Sequence, residues 1–417
     1  PPVSTIEAAD VSSIKATPEV DVANTGWPWW RGTQRNGHAV ADVDVQPKQL
    51  MENVLWKSPV PGRGHATPII YGNQVFVATA DKEQETQSLR CYNRSNGDLL
   101  WNTEIHQGGF PSIHSKNSFA SGTPACDGEQ VFCCFANDRA LWMTAVDFDG
   151  KVKWRKRVGD LDSQHGFGGS PVIYKSLVII AADHRGPGYL AALDRADGDV
   201  VWRKPRPQED SYGCPVVAHV AGRDQLLLSG QHRITSYDPA SGQPLWNCKG
   251  IARVSANTTS WYEDLVIGSS GYPDNVVMCV RADGSGDVTD SHVLWTMKYR
   301  LYVPSALVVG DKLVLIRDDG VAMTLDPRTG KTLSEKRLGG AFSASPTLAG
   351  ETIYVPSEQG DLLVLKASDP IKVLAKHKFG EGIFASPVVC DRQLFIRGEH
   401  HLYCIGKATS VSARTSP

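Results

Sequence analysis

At 417 residues the chain is long enough for two or three ordinary domains, but 39 glycines, 25 prolines and 41% hydrophobic residues describe an all-β chain with a large core and frequent turns. Forty-three Lys and Arg stand against 45 Asp and Glu, a net charge of −2 with no run of like charge, which excludes electrostatic capture of nucleic acid or an anionic membrane. No apolar stretch approaches the roughly 18 to 20 residues of a spanning helix, so no transmembrane segment is expected.

The chain begins without Met in a polar Ser/Thr/Ala/Pro/Val segment. Residues 1–26 therefore read as a disordered leader or linker, of the kind left when a signal sequence is removed, and export is expected. Residues 27–52 open with Trp27-Pro28-Trp29-Trp30-Arg31-Gly32, too aromatic for a free tail, and are expected to pack on the body as an arm. Val54-Leu55-Trp56-Lys57 then reads as the second half of a hairpin whose first half is missing.

That hairpin recurs down the chain. In the copy from Asp194 to Trp202, Asp194 opens a turn whose carboxylate can bond the backbone two residues on, Gly198 supplies a positive φ, and an apolar strand ends on Trp202. Asn93 to Trp101 and Asp238 to Trp246 keep the same spacing, while Asp147 to Trp154 is one residue shorter. A degenerate copy runs from Asp326 to Ser334, and another, Arg281 to Trp295, is stretched by an insertion.

Each repeat starts on a small residue that usually precedes Pro: Thr67-Pro68, Thr123-Pro124, Ser170-Pro171, Cys214-Pro215, Asn257-Thr258, Ser305-Ala306, Ser345-Pro346 and Ser386-Pro387. The steps between these starts are 56, 47, 44, 43, 48, 40 and 41 residues, near the period of about 40 to 45 of four-stranded propeller blades. The eighth repeat lacks a fourth strand, and residues 54–57 are the segment able to supply it. The expected fold is all-β: an eight-bladed β-propeller of four-stranded antiparallel blades over residues 53–406, its ring closed by the N-terminal strand, with 407–417 as a flexible tail.

Nine cysteines are present. Cys91, Cys279 and Cys404 fall in a hairpin slot held elsewhere by Ala145, Ala192, Ser236, Thr324 and Val364, so they read as small buried side chains, reduced and unpaired.

The Ser-Pro starts and the Asp-x-x-x-Gly-x-x-x-Trp hairpins together resemble the pyrroloquinoline-quinone-type β-propeller repeat over about residues 27–406, in particular the exported propellers of planctomycete-like bacteria that open on Trp-Pro-Trp-Trp-Arg-Gly. The resemblance implies a fold more than a function, since quinoprotein dehydrogenases and the propeller lipoprotein of the outer-membrane barrel-assembly machinery both share the repeat. In the dehydrogenase branch a disulfide between adjacent cysteines packs on the quinone. Cys133-Cys134 is the one such pair here, but inside Val131-Phe132-Cys133-Cys134-Phe135 neighbouring side chains point to opposite faces of a strand.

Chemistry is expected where the segments before each start and the loops between second and third strands project together around the channel mouth. Seven of the twelve histidines map there. The ligand-binding candidates are Arg63, His65, His165, His184, Arg185, Tyr212, His232, Arg253, Asn257, Arg300 and Tyr302, a set suited to a polar small molecule or a protein segment. No catalytic residue, metal site or cofactor is assigned: the histidines lie on different repeats, and no nucleophile elbow, phosphate loop or paired carboxylate is recognisable. The function read from the sequence is a non-catalytic binding or scaffolding propeller of the cell envelope. The alternatives are a quinone-dependent oxidoreductase of alcohols or sugars, and a hydrolase or lyase using a His/Tyr/Arg cluster.

Overall fold

The computed structural model describes residues 26–407; the leader and the tail expected from the sequence lie almost wholly outside them. Eight antiparallel sheets form the blades of a β-propeller, numbered here in chain order: residues 69–107, 125–160, 172–205, 216–249, 260–297, 307–337, 347–378 and 388–405. The last contributes three strands, and Val54–Pro59 adds the fourth, pairing antiparallel with His401–Ile405 so that Trp56 faces Cys404. The expected eight-bladed ring, closed by the N-terminal strand, is the fold that forms. Blade 4 alone gains a fifth strand: Gly286–Asp287, from the insertion in blade 5, runs parallel to its outer edge.

The Trp hairpins explain how blades dock. Each Trp faces a small residue across its own strand pair, Cys91 opposite Trp101, Ala145 opposite Trp154, Ala192 opposite Trp202 and Cys279 opposite Trp295. The turn glycine that touches its ring comes from the following blade. A Cβ on Gly198, whose φ is +77°, would lie 2.6 Å from the Trp154 ring, and one on Gly242 the same distance from Trp202. The same turns accept the indole N–H: Trp56 donates to Arg94 O, Trp101 to Phe148 O, Trp154 to Arg195 O and Trp295 to Pro327 O. One nine-residue repeat thus carries two halves of two different contacts. Trp154, Trp202, Trp246 and Trp295 are buried, whereas Trp101 is only half-buried, against Phe76 and Phe148.

The repeat starts close the centre of the ring. The first N–H of each inner strand has no partner in its own sheet and donates to the next blade's start residue: Thr67 to Thr123 Oγ1 at 3.0 Å, Thr123 to Ser170 Oγ at 3.0 Å, Ser170 to Cys214 Sγ at 3.3 Å. On the other side Thr258 donates to Ser305 Oγ at 3.1 Å, Ser305 to Ser345 Oγ at 3.0 Å, Ser345 to Ser386 Oγ at 2.9 Å, and Ser386 back to Thr67 Oγ1 at 3.2 Å. The position demands a small acceptor because a buried N–H left unpaired is costly. Proline suits the next position because it brings no N–H of its own. The fifth start is displaced by one residue from the sequence reading: Thr258 occupies the ring, and Asn257 offers its backbone carbonyl to Cys214 N.

Residues 26–45 run across the far ends of the inner strands, on the side away from the loops that lead into them. Trp27 pairs with Ile70 of blade 1, Pro28 O accepts from Cys126 N of blade 2, and Arg35 donates to Ile173 O of blade 3. Trp30 Nε1 donates to Thr258 Oγ1 of blade 5, Arg31 to Ala306 O of blade 6, and Ala39 and Gly37 bond Leu348 of blade 7. The segment therefore stoppers one end of the channel, with Trp27 and Trp29 buried.

All nine cysteines are buried, and no disulfide forms among the described residues. Cys133 and Cys134 illustrate the alternation: Cys133 lies in the core between blades 1 and 2, and Cys134 in the core between blades 2 and 3.

Candidate functional site

The loops leading into the inner strands meet the loops joining second to third strands on the face opposite the stopper. Tyr302 N and Val303 N both donate to Asp318, Val254 bridges to Tyr272, and Arg63 pairs with Glu399. These contacts frame the mouth and hold its side chains in three groups.

The first group straddles the closure between blades 8 and 1. His65 stacks on Phe384 with centroids 4.4 Å apart, Arg63 lies over the same ring, and its Nε is 3.5 Å from Glu399. Beneath them Arg397 is fully buried, and its Nη1 donates to Ala66 O at 3.1 Å and Ala78 O at 2.5 Å. Burial, reinforced by the charges of Arg63 and Arg397, pushes His65 down to about 3, so the ring is neutral. Burial also brings Arg397 down to about 9.

The second group is His165, with His114 edge-on at 5.3 Å and Tyr212 at 6.1 Å, beside Arg185, whose Nε bonds Asp210 at 3.0 Å. Burial and the charge of Asp210 raise the Tyr212 hydroxyl to about 12. The third is Arg253 over the Tyr272 ring at 5.5 Å, with Tyr302 and the exposed Arg300 close by. Tyr302 packs on Gly271, where a Cβ would lie 2.2 Å from its ring, and burial beside Asp318 raises it to about 12. His232, exposed, stands 3.7 Å from Glu209.

Two candidates serve the scaffold. His184 is completely buried, its Nδ1 accepting from Asp162 N and Gly186 N. Asn257 spends its amide on Ser269 Oγ, Leu301 O and Tyr302 O. The sequence reading missed Arg397. The strand registers align it with Ala78, Cys134, Ala181, Ser229, Ser269, Ile316 and Pro356. A lone charge in a small or apolar slot was the available signal. It also omitted Lys116, whose Nζ reaches Glu358 of blade 7 at 2.9 Å and so draws the loop before blade 2 across the opening.

The disulfide between adjacent cysteines that the dehydrogenase resemblance implies does not form here. Cys134 Sγ lies 3.1 Å from Met143 Sδ, Cys133 Sγ faces Thr144 O, and the two sulfurs are on opposite sides of the strand. A small pocket beside blade 2, lined by Pro111, Ile113, Phe119, Cys134 and Phe167, measures about 10 Å³. Among the described residues no group of three or more His, Cys, Asp or Glu side chains is placed to hold a metal ion.

The family described as outer membrane protein assembly factor BamB matches residues 52–108, 85–323, 285–373 and 318–410. A protein of that name from Bordetella pertussis is 23% identical over 336 residues, 78% of each chain. Among solved structures, BamB from Moraxella catarrhalis superposes with a TM-score of 0.62 at 14% identity, covering 85% of this chain and 99% of that one. A quinohemoprotein alcohol dehydrogenase from Comamonas testosteroni superposes with a TM-score of 0.69 at 12% identity, over 96% and 83%. At such identities the superpositions establish the propeller fold alone, whereas the family match spans nearly the whole ring: this chain belongs to the BamB family of pyrroloquinoline-quinone-type repeat propellers.

Proposed function

We propose that the protein is a non-catalytic scaffold of the cell envelope whose channel mouth binds a segment of another protein. The observation that carries this reading is the composition of the mouth: Arg63 and His65 on Phe384, His165 beside Tyr212, and Arg253 on Tyr272, presented by the loops of the blades. Arg and aromatic side chains supply most of the energy in protein interfaces. The relatives' name, outer membrane protein assembly factor, supports an exported location and a protein partner. The opposite face is built of near-identical turns such as 195–198 and 327–330, which offer no individual site.

A photo-crosslinking amino acid placed at His165, Arg253 or Arg300 in cells is expected to capture a protein, whereas the same probe at Ala196 or Thr329 is not. Arg63→Ala, Arg253→Ala and Tyr302→Ala together should lower the yield at a neighbouring probe about tenfold or more, the scale of one lost hot spot. Adducts arising only from the turns would sink the placement. Dye-linked oxidation of alcohols gained on adding pyrroloquinoline quinone and calcium would replace the scaffold with an oxidoreductase.

A further inference from the structure

The step of 56 residues from the first start to the second is the longest in the ring, and the loop that ends it lies across the opening. Both roots of this loop are pinned. At one end Gly108 N donates to Glu85 O, Gly108 O accepts from Asn137 Nδ2, and Gly109 O accepts from Asp138 N. At the other end the Asn117 side chain donates to His165 O and accepts from Ser118 N and Ser121 Oγ. The span between them, residues 110–116, is held lightly. None of its residues is buried; Phe110 packs on Phe119 with centroids 4.3 Å apart, and His114 N donates to His165 O at 3.2 Å.

The tip of the span is fastened by an ion pair to the far side of the mouth. Lys116 Nζ lies 2.9 Å and 3.2 Å from the two carboxylate oxygens of Glu358 in blade 7. The Lys116 side chain is 61% exposed and that of Glu358 only 11%, and Ser343 Oγ donates to Glu358 at 2.6 Å. The anion is therefore fixed and the cation is the partner free to leave. A segment with few buried contacts and solvent-exposed hydrogen bonds opens locally at small cost, and a pair with one exposed member adds little to hold it. In its present position the span lies against two residues proposed to meet the partner: His114 is edge-on to His165, and Ser115 O is 3.5 Å from Arg63 Nη1. A segment approaching those side chains has to displace it.

We propose that residues 110–116 are a lid over the channel mouth, latched to blade 7 by Lys116 and Glu358, whose closed form withholds Arg63 and His165 from the partner. Its role toward the partner rests on the function proposed for the mouth; the latch itself does not. Deuterium exchange of the full chain, read by mass spectrometry, tests the latch with no partner present. Glu358→Gln and Lys116→Gln should each speed exchange in the peptide spanning 110–117 about two- to fivefold, the scale of one lost ion pair. Salt at about 1 M should speed it in the parent and not in the variants, because screening breaks the same pair. Equal rates in all three proteins would overturn the lid. So would a matching rise in the core strand Leu177–Ala182, which would mean that the whole ring had loosened. In cells, Glu358→Gln should raise the adduct yield of a photo-crosslinking amino acid at Arg253. Faster exchange with no gain in an adduct that does form would overturn the competition with the partner. No adduct in either protein would reject the mouth as the docking surface, while the exchange rates still decide the lid.

Discussion

His65 is held neutral by desolvation and by two neighbouring guanidinium groups, and this makes the fold acid-sensitive in a defined direction. The unfolded chain takes up a proton as pH falls below the ordinary value of 6.5, whereas the folded protein does not do so until about 3. The contribution is therefore fully present above 6.5 and is lost progressively as pH falls towards 3; His106, brought down to about 4 by burial, acts in the same sense. His65→Phe keeps the stack on Phe384 but removes the titration, so the decline of its urea midpoint between pH 7 and 4 should be shallower by up to one proton; unchanged slopes would reject this account. Trp202, 1% exposed, fills the seam between blades 3 and 4. Trp202→Ala should destabilise by about 3 to 5 kcal/mol through the cavity left behind, and a loss under about 1 kcal/mol in chemical unfolding would mean that the seam repacks. The candidate residues stand out in the sequence because they sit in loops that break the repeat. His184 and Asn257 could not be sorted from them, since an Asn or His in a loop looks the same whether its polar atoms face solvent or the backbone of a neighbouring segment.

At the scale of the element, each strand is legible from apolar runs and each turn from Asp and Gly, but the partner of every turn lies one blade further on. The Asp194–Gly198 turn reads as part of its own hairpin, and only the ring shows it accepting the indole N–H and ring face of Trp154. The start residues behave likewise. Ser345→Ala removes the acceptor of the buried Ser305 N–H while preserving the inner strand, and should cost about 1 to 3 kcal/mol for an unsatisfied donor. Ser345→Thr, the residue type of blades 1, 2 and 5, should be close to neutral. Equal stability of all three proteins in urea would show that the hydroxyl circuit contributes nothing. The one-residue displacement at Asn257-Thr258 arises because no proline marks that start, so either polar residue fits the pattern until the bond to Ser305 selects Thr258.

For the whole molecule, closure by Val54–Pro59 converts the outer edge of blade 8 from an open ladder into a paired one. Arg397 supports the same seam from inside, tying blade 8 to the backbone of blade 1. A chain shortened to begin at residue 61 should lose cooperative unfolding and aggregate, whereas one beginning at residue 46 should keep the ring, with only the stopper lost. Retention of a sharp single transition by the shorter chain would show that closure is dispensable. Blade number, hairpin chemistry, the missing fourth strand of the eighth blade and the small slot shared by the hairpins were all determined by the sequence alone, because they rest on local periodicity and on counting. What fills the two ends of the channel was decided only in the tertiary structure. The aromatic arm and the mouth loops carry no repeat, and their partners lie on blades up to 330 residues away in the chain, such as Pro47 against His377 and Lys116 against Glu358. Contacts of that separation are selected by the geometry of the closed ring, which brings eight distant starts to one axis and sets Arg31 of the arm against the Ala306 carbonyl of blade 6.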